Sequence, residues 1–216
     1  MTARTIVKRR TAEQRRREIV DGAAALFDVT GYDRVSMGDI ASAAGIAKAT
    51  LYHYFTSKDE ILYWVHKSFI DQLISRQDGR LATALTPQQQ LLEVMADILD
   101  LMKTRRGHVR VFFEHHRELS DLSRATILAR RDLYTEMVQD ILRAGMDSGD
   151  LRKGDPALAA FAIFGMCNWA YQWYTVEGEL QTRQIAYLFW DYIIHGLGTQ
   201  PPDMNPAMHH NTHEGE

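Results

Sequence analysis

From Thr11 onward, apolar positions along this chain of 216 residues return every three or four residues. That interval keeps to one face of a 3.6-residue period and predicts helices. No strand-length run alternates β-branched with polar residues, so no strand is expected. Ile19, Ala23, Leu26 and Phe27 make one such stripe, and a longer one starts near Lys58 and passes Leu62, Val65, Phe69 and Leu73. Four helix starts pair a capping side chain with a partner three residues on: Thr11 with Gln14, Ser36 with Asp39, Ser57 with Glu60, and Thr86 with Gln89 after Pro87. Asp155 before Pro156, and Thr182, predict two more. Stops are expected at Gly31, Gly45, Gly149, Gly178 and Gly198. The pattern predicts an all-α protein of about nine helices, with a small N-terminal unit over 11–57 and a larger helical domain over 58–198. Residues 1–10 read as a basic arm, and the proline-rich, stripe-free residues 199–216 as a disordered tail.

Charge changes this picture at one end. The formal net charge is -3, yet residues 1–20 carry seven basic side chains against two acidic ones. A basic front on an acidic body points to a polyanion met by the N-terminal part alone. With Cys167 as the single cysteine, no internal disulfide framework is available and a reducing, cytoplasmic setting fits. No stretch approaches the roughly 18–20 apolar residues of a membrane span, so no membrane partner is expected.

Between Ser36 and Phe55 the sequence predicts two short helices separated by Gly45. Ile40, Ala44, Ile46 and Leu51 are spaced to hold them together at a steep angle, and Ala41 is small where the second must cross close. This is the pattern of a helix-turn-helix, whose second helix enters the DNA major groove. The face not needed for packing then carries Lys48, Thr50, Tyr52 and His53, cationic or hydrogen-bonding groups that suit phosphates and base edges.

Residues 14–62 resemble the DNA-binding domain of the tetracycline-repressor (TetR) family of bacterial transcriptional regulators. The likeness is carried by Phe27, Gly31, Tyr32, Ile40, Ala41, Ala44, Gly45, Leu51, Tyr52, Phe55, Lys58 and Leu62. It implies a dimeric helical protein that binds a palindromic operator in double-stranded DNA and releases it when a small molecule occupies the C-terminal domain. By position, it implies that Ser36, Tyr52 and Lys58 hold phosphates and that Lys48, Ala49, Thr50 and His53 lie against bases. Ala47 stands where the family often has serine, removing a helix cap worth roughly 1 kcal/mol. Ala49 replaces a common glycine. The arm from Arg4 to Arg10 is expected along the DNA backbone or in the minor groove.

The C-terminal domain concentrates nearly half of the chain's aromatic residues between Phe161 and Tyr192. Two helices so apolar, with Ala159, Ala160, Ala162 and Gly165 permitting close approach, predict the dimer interface. Candidate ligand-binding residues lie where three central helices would converge: Phe112, Phe113, His116, Tyr134, Met137, Met166, Trp169 and Trp173. The run from Phe164 to Leu180 resembles a subgroup of the same family that regulates lipid catabolism and answers to acyl-coenzyme A (acyl-CoA) thioesters. That resemblance implies an apolar tunnel with cations near its mouth, for which Arg110, Arg117, Arg130 and Arg131 are available. An aromatic or drug-like effector is the alternative ligand class.

A helical-bundle metal enzyme is the rival in a different class. The run Glu114–Glu118 holds carboxylates and imidazoles, but His115 and His116 are adjacent and point to different sides of a helix. No Glu-x-x-His motif, phosphate loop or nucleophile elbow occurs. Neither a catalytic residue, a metal ligand nor a cofactor is therefore expected, and His209, His210 and His213 sit in the tail.

Overall fold

The computed structural model describes residues 11–197. The basic arm, the Gly198 stop and the histidine-bearing tail lie outside these residues. Among the described residues there are nine α-helices and two single 3-10 turns, and no strand.

Local chemistry sets most of the helix boundaries. Thr11 caps Ala12–Thr30 (α1) in a reciprocal box with Gln14, and Ser36 caps Met37–Ala43 (α2) in the same way with Asp39. Lys48–Tyr52 (α3) starts from Ala47 with no side-chain cap, as its alanine requires. Ser57 caps Lys58–Arg80 (α4), but the Glu60 carboxylate turns back to the backbone N–H and hydroxyl of Thr56 instead of closing a box. Thr86 with Gln89 starts Pro87–Thr104 (α5), and Asp155 starts Pro156–Trp169 (α8). Between them, Arg106–Glu114 (α6) follows a kink at Arg105, and Ser120 caps Asp121–Ser148 (α7).

Three expected boundaries move. The last helix, Thr182–His195 (α9), is capped by Gln181 reciprocally with Gln184, so Thr182 is its first residue rather than its cap. It stops at Gly196 (φ +79°), ahead of Gly198. Gly178 lies in a turn on Thr175, well past the end of α8 at Trp169.

α1, α2, α3 and the start of α4 enclose Phe27, Ile40, Leu51, Phe55 and Leu62, all buried. α4 continues into the second layer, where it packs on α6 and α7, while α5 lies among α7, α8 and α9. The two layers share one continuous core. α6 is pressed against α1 on one side and against α4 and α5 on the other. Where α6 meets α1 only glycine fits: a Cβ on Gly107 would stand 2.9 Å from the Ala24 carbonyl oxygen.

Candidate nucleic-acid interface and sensor cavity

The turn between α2 and α3 is built by its backbone. Ile46 N–H donates to Ala41 O (3.0 Å) and Gly45 N–H to Ser42 O (3.1 Å), the paired bonds of a Schellman end. Gly45 takes φ +64°, a left-handed conformation that glycine adopts without a Cβ penalty. The chain thereby turns within three residues, and where α2 packs on α3 the buried Ile40, Ala41 and Leu51 belong to one apolar cluster.

That crossing fixes which side of α3 is left over. Lys48 and Tyr52 are one turn apart, as are Ala49 and His53, and all four are exposed, forming two adjacent outward rows. Thr50 sits half-buried on the flank. Among the described residues the Lys48 ammonium, the Tyr52 hydroxyl and the His53 imidazole have no partner.

The flanking candidates are differently placed. Ser36 is exposed, but its hydroxyl donates to Asp39 Oδ2 at 2.7 Å and caps α2. Lys58 is half-buried, its ammonium donating to Tyr32 O at 2.9 Å and lying 4.1 Å from the Tyr32 ring centroid. Two of its three N–H donors remain for another acceptor. Burial and the hydrogen bond to Asp59 push the Tyr32 hydroxyl well above its ordinary range, so this ring stays neutral beneath the cation. Arg34, two residues before the Ser36 cap, is exposed in the turn before α2 and has no partner among the described residues; it is not one of the residues the sequence singles out. Its signal was there: no other basic residue lies between Arg17 and Lys48.

Behind this unit α6 forms a bridge. Arg110 pairs with Asp28 of α1 at 2.9 Å, and His108 Nε2 stands 3.1 Å from Asp21 Oδ1, which Arg105 also reaches. Burial raises the Asp21 carboxyl, but the His108 hydrogen bond and the Arg105 charge outweigh it and hold the group below its ordinary range. Burial pushes His108 down. On the other side of α6, Phe112 packs 4.4 Å from Phe69 of α4, and Phe113 stacks on Tyr171 at 5.1 Å.

Phe112 and Phe113 wall a cavity of about 70 Å³ with Phe69, Tyr134, Phe164 and Asn168, and Arg131 at its edge. Of the eight candidate ligand residues, the structure brings Phe112, Phe113 and Tyr134 together here. Met137 packs half-buried against the core and Met166 is half-buried on α8, neither lining the cavity, and His116 is exposed, facing the Phe113 carbonyl. Trp169 and Trp173 are 63% and 46% exposed and lie away from it. The reason is the roll of α8: Ala160, Ile163 and Cys167 face the core, and Trp169, two residues past Cys167, is turned about 200° from it. Phe69, Phe164 and Asn168 were not among the sequence candidates; Phe164 and Asn168 are one turn apart, flanking the buried Ile163 and Cys167 positions. A larger groove of about 730 Å³ lies between the far ends of α8 and α9 and shares Leu158, Ala162 and Tyr192 with an exposed apolar face. Burial raises the Cys167 thiol to about 12, far from a reactive thiolate. No group of three or more potential metal ligands occurs among the described residues, and none of their helices is long and apolar enough to cross a membrane.

A helix-turn-helix presenting unpartnered polar side chains, joined through one bridging helix to a second helical domain, defines a DNA-binding regulator. The chain belongs to the tetR family of bacterial regulatory proteins: residues 19–63 match that family's model, and residues 84–197 match the tetracyclin repressor-like C-terminal domain. It is a transcriptional regulator and not an enzyme. The chain is 27% identical over 185 residues to the HTH-type transcriptional repressor KstR2 of Mycolicibacterium smegmatis, covering 85% of this chain and 90% of that one. In structure it is similar to the TetR family regulator PfmR of Thermus thermophilus, with a TM-score of 0.78, 32% identity and coverage of 83% and 98% of the two chains. It is likewise similar to AibR, solved in complex with isovaleryl coenzyme A and operator DNA, with a TM-score of 0.72, 29% identity and coverage of 83% and 98%.

Proposed function

We propose that this protein is a cytoplasmic homodimeric repressor that holds a palindromic operator and lets it go when a small hydrophobic effector, of the acyl-CoA class, enters the cavity behind α6. The observation that carries the DNA-binding part is the double row of Lys48 with Tyr52 and Ala49 with His53, unpartnered on a helix whose orientation is fixed by the Ile40, Ala41 and Leu51 contact. In this reading Lys48, Ala49, Thr50 and His53 face bases, while Ser36, Tyr52, Lys58 and Arg34 lie along phosphates. Similarity to AibR, whose complex holds isovaleryl coenzyme A, supports the effector class.

Dimerisation supplies the symmetry. Leu158, Phe161, Gly165 and Trp169 follow one another along an exposed apolar stripe of α8, with Phe161 61% exposed, and Tyr187 and Tyr192 of α9 extend the exposed apolar surface. Nothing lies within 4 Å of a Cβ on Gly165, so a partner helix can approach closely there. A contiguous apolar face of this kind marks an interaction surface. Paired on that face, two copies of α3 read successive major-groove faces about 34–36 Å apart.

The effector acts by favouring one arrangement of the pair over the other. An occupied cavity displaces Phe112 and Phe113, and with them α6. Because α6 is tied to α1 through Arg110, His108 and Gly107, the helix-turn-helix follows and the spacing of the two α3 helices changes. The test is selection from a random duplex library with the purified protein. Enrichment of two-fold symmetric sites with half-sites roughly one helical turn apart supports the reading; enrichment of single, asymmetric sites contradicts it.

A further inference from the structure

Four arginines were available from the sequence as cations for an effector, and the structure separates them. Arg110 is occupied by Asp28 and Glu114, and Arg130 by Asp71. Arg117 precedes α7, on the exposed turn after α6, and does not line the cavity. Arg131 differs from all three. It lines the aromatic cavity, its guanidinium lies 5.7 Å from the Phe112 ring centroid, and no carboxylate pairs with it among the described residues. From α8, Asn168 reaches the same cavity with a half-buried carboxamide that also has no partner. One turn from Arg131, the Tyr134 ring closes the inner wall, 5.9 Å from Phe164.

The cavity is small. A site of about 150 Å³ takes up benzene, with six carbons. At about 70 Å³ this one takes roughly half that without rearrangement.

We infer that the effector is a short-chain acyl compound, its three or four alkyl carbons among Phe69, Phe112 and Phe164 and its carboxylate or thioester carbonyl held by the Asn168 amide and Arg131. This rests on the effector reading above and adds to it a chain length and an anchor. A free acid offers its carboxylate to this pair of donors and a thioester offers its carbonyl oxygen, the coenzyme A phosphates lying many bonds further on, outside so small a cavity. Arginine suits the carboxylate, because its planar fork meets paired oxygens, and can donate to a single thioester oxygen as well. A longer chain would outgrow these walls and run out past the exposed Arg131.

The test is titration calorimetry of the full-length protein with acetyl-CoA, isovaleryl-CoA, octanoyl-CoA and sodium isovalerate, for the parent and for Arg131→Gln and Arg131→Lys. Thermal melts establish that the variants are folded. Isovaleryl-CoA should bind the parent more tightly than octanoyl-CoA. Arg131→Gln should weaken it at least tenfold, and Arg131→Lys should recover part of the loss. Binding of isovalerate as well would assign the acyl carboxylate to Arg131, whereas binding of the thioester alone would assign the thioester carbonyl to it. Equal affinity in the parent and Arg131→Gln would overturn the anchor while leaving an acyl-CoA effector standing. Preference for octanoyl-CoA would overturn the chain length. Binding of none of the four would remove the acyl-effector reading itself, and this inference with it.

Discussion

Alanine at Gly107 and alanine at Gly22 are the same substitution on two facing helices, yet they should move stability in opposite directions. In α1, nothing lies within 4 Å of a Cβ on Gly22, so alanine there contributes only its better helix propensity, about 1 kcal/mol. In α6, a Cβ on Gly107 would stand 2.9 Å from Ala24 O, 3.0 Å from Ala24 C and 3.2 Å from Ala25 N. These are backbone atoms inside a helix and cannot rotate away. Forcing a methyl group into such a contact costs about 1–3 kcal/mol, against a propensity gain of at most about 1 kcal/mol. Gly107→Ala is therefore expected to lose roughly 1 kcal/mol and Gly22→Ala to gain about as much. In a chain of this size each corresponds to about 2–4 °C in Tm. Urea denaturation followed by far-UV circular dichroism, at one chain concentration so that any self-association is held fixed, measures both. Equal stabilisation by the two substitutions would refute the close seam between α6 and α1. Because the proposed coupling runs through that seam, Gly107→Ala should also change operator affinity, which Gly22→Ala should leave alone.

Three further outcomes follow from particular groups. His66 is buried, its Nδ1 3.0 Å from Leu62 O and its Nε2 without a partner, and burial above all pushes its pKa down from 6.5 to about 4. The folded protein thus binds fewer protons than the unfolded chain between these values, so the stabilisation is complete above about pH 6.5 and is lost as pH falls toward 4, by roughly 3 kcal/mol. His66→Phe should flatten that part of a urea midpoint-against-pH curve, and parallel curves for the two proteins would contradict the assignment. Phe161→Glu, on the exposed face of α8, should turn a dimer into a folded monomer in sedimentation velocity, while an unchanged dimer would move the interface elsewhere. Arg34→Gln should lower the salt slope of operator binding by about 2 per dimer, one phosphate contact per protomer, and an unaltered slope would take Arg34 off the DNA.

How much of this was legible in the sequence depended on how local the determining physics was. Thr11, Ser36, Thr86 and Asp155 announce their helices because a cap is satisfied within three residues. Gly31 and Gly149 announce ends because a positive φ is a property of a single residue. The break between α5 and α6 was not legible, since Arg105 (φ -142°, ψ 40°) has neither a cap nor a glycine to mark it, and what holds it is tertiary: Asp21 of α1 and Gln72 of α4. Face assignment divides in the same way. On α3 the buried Leu51 and the crossing at Ala41 leave one choice of outward side. On α8 nearly every residue is apolar, so no stripe reveals which side faces α7, and Trp169, expected in the cavity, stands on the outside instead. Likewise the choice of Arg131 among four arginines needed to know where Asp28 and Asp71 lie.

The central claim, that one chain joins operator binding to release by an acyl effector, is tested most directly by fluorescence anisotropy of labelled DNA from upstream of the protein's own gene. The titration is run at one salt concentration with and without isovaleryl-CoA, because salt alone changes such affinities strongly. Saturable binding in the nanomolar range, weakened at least tenfold by the thioester and abolished by Lys48→Ala, is the predicted result. Binding that the thioester leaves unchanged, in a protein shown by calorimetry to take it up, would contradict the coupling through α6.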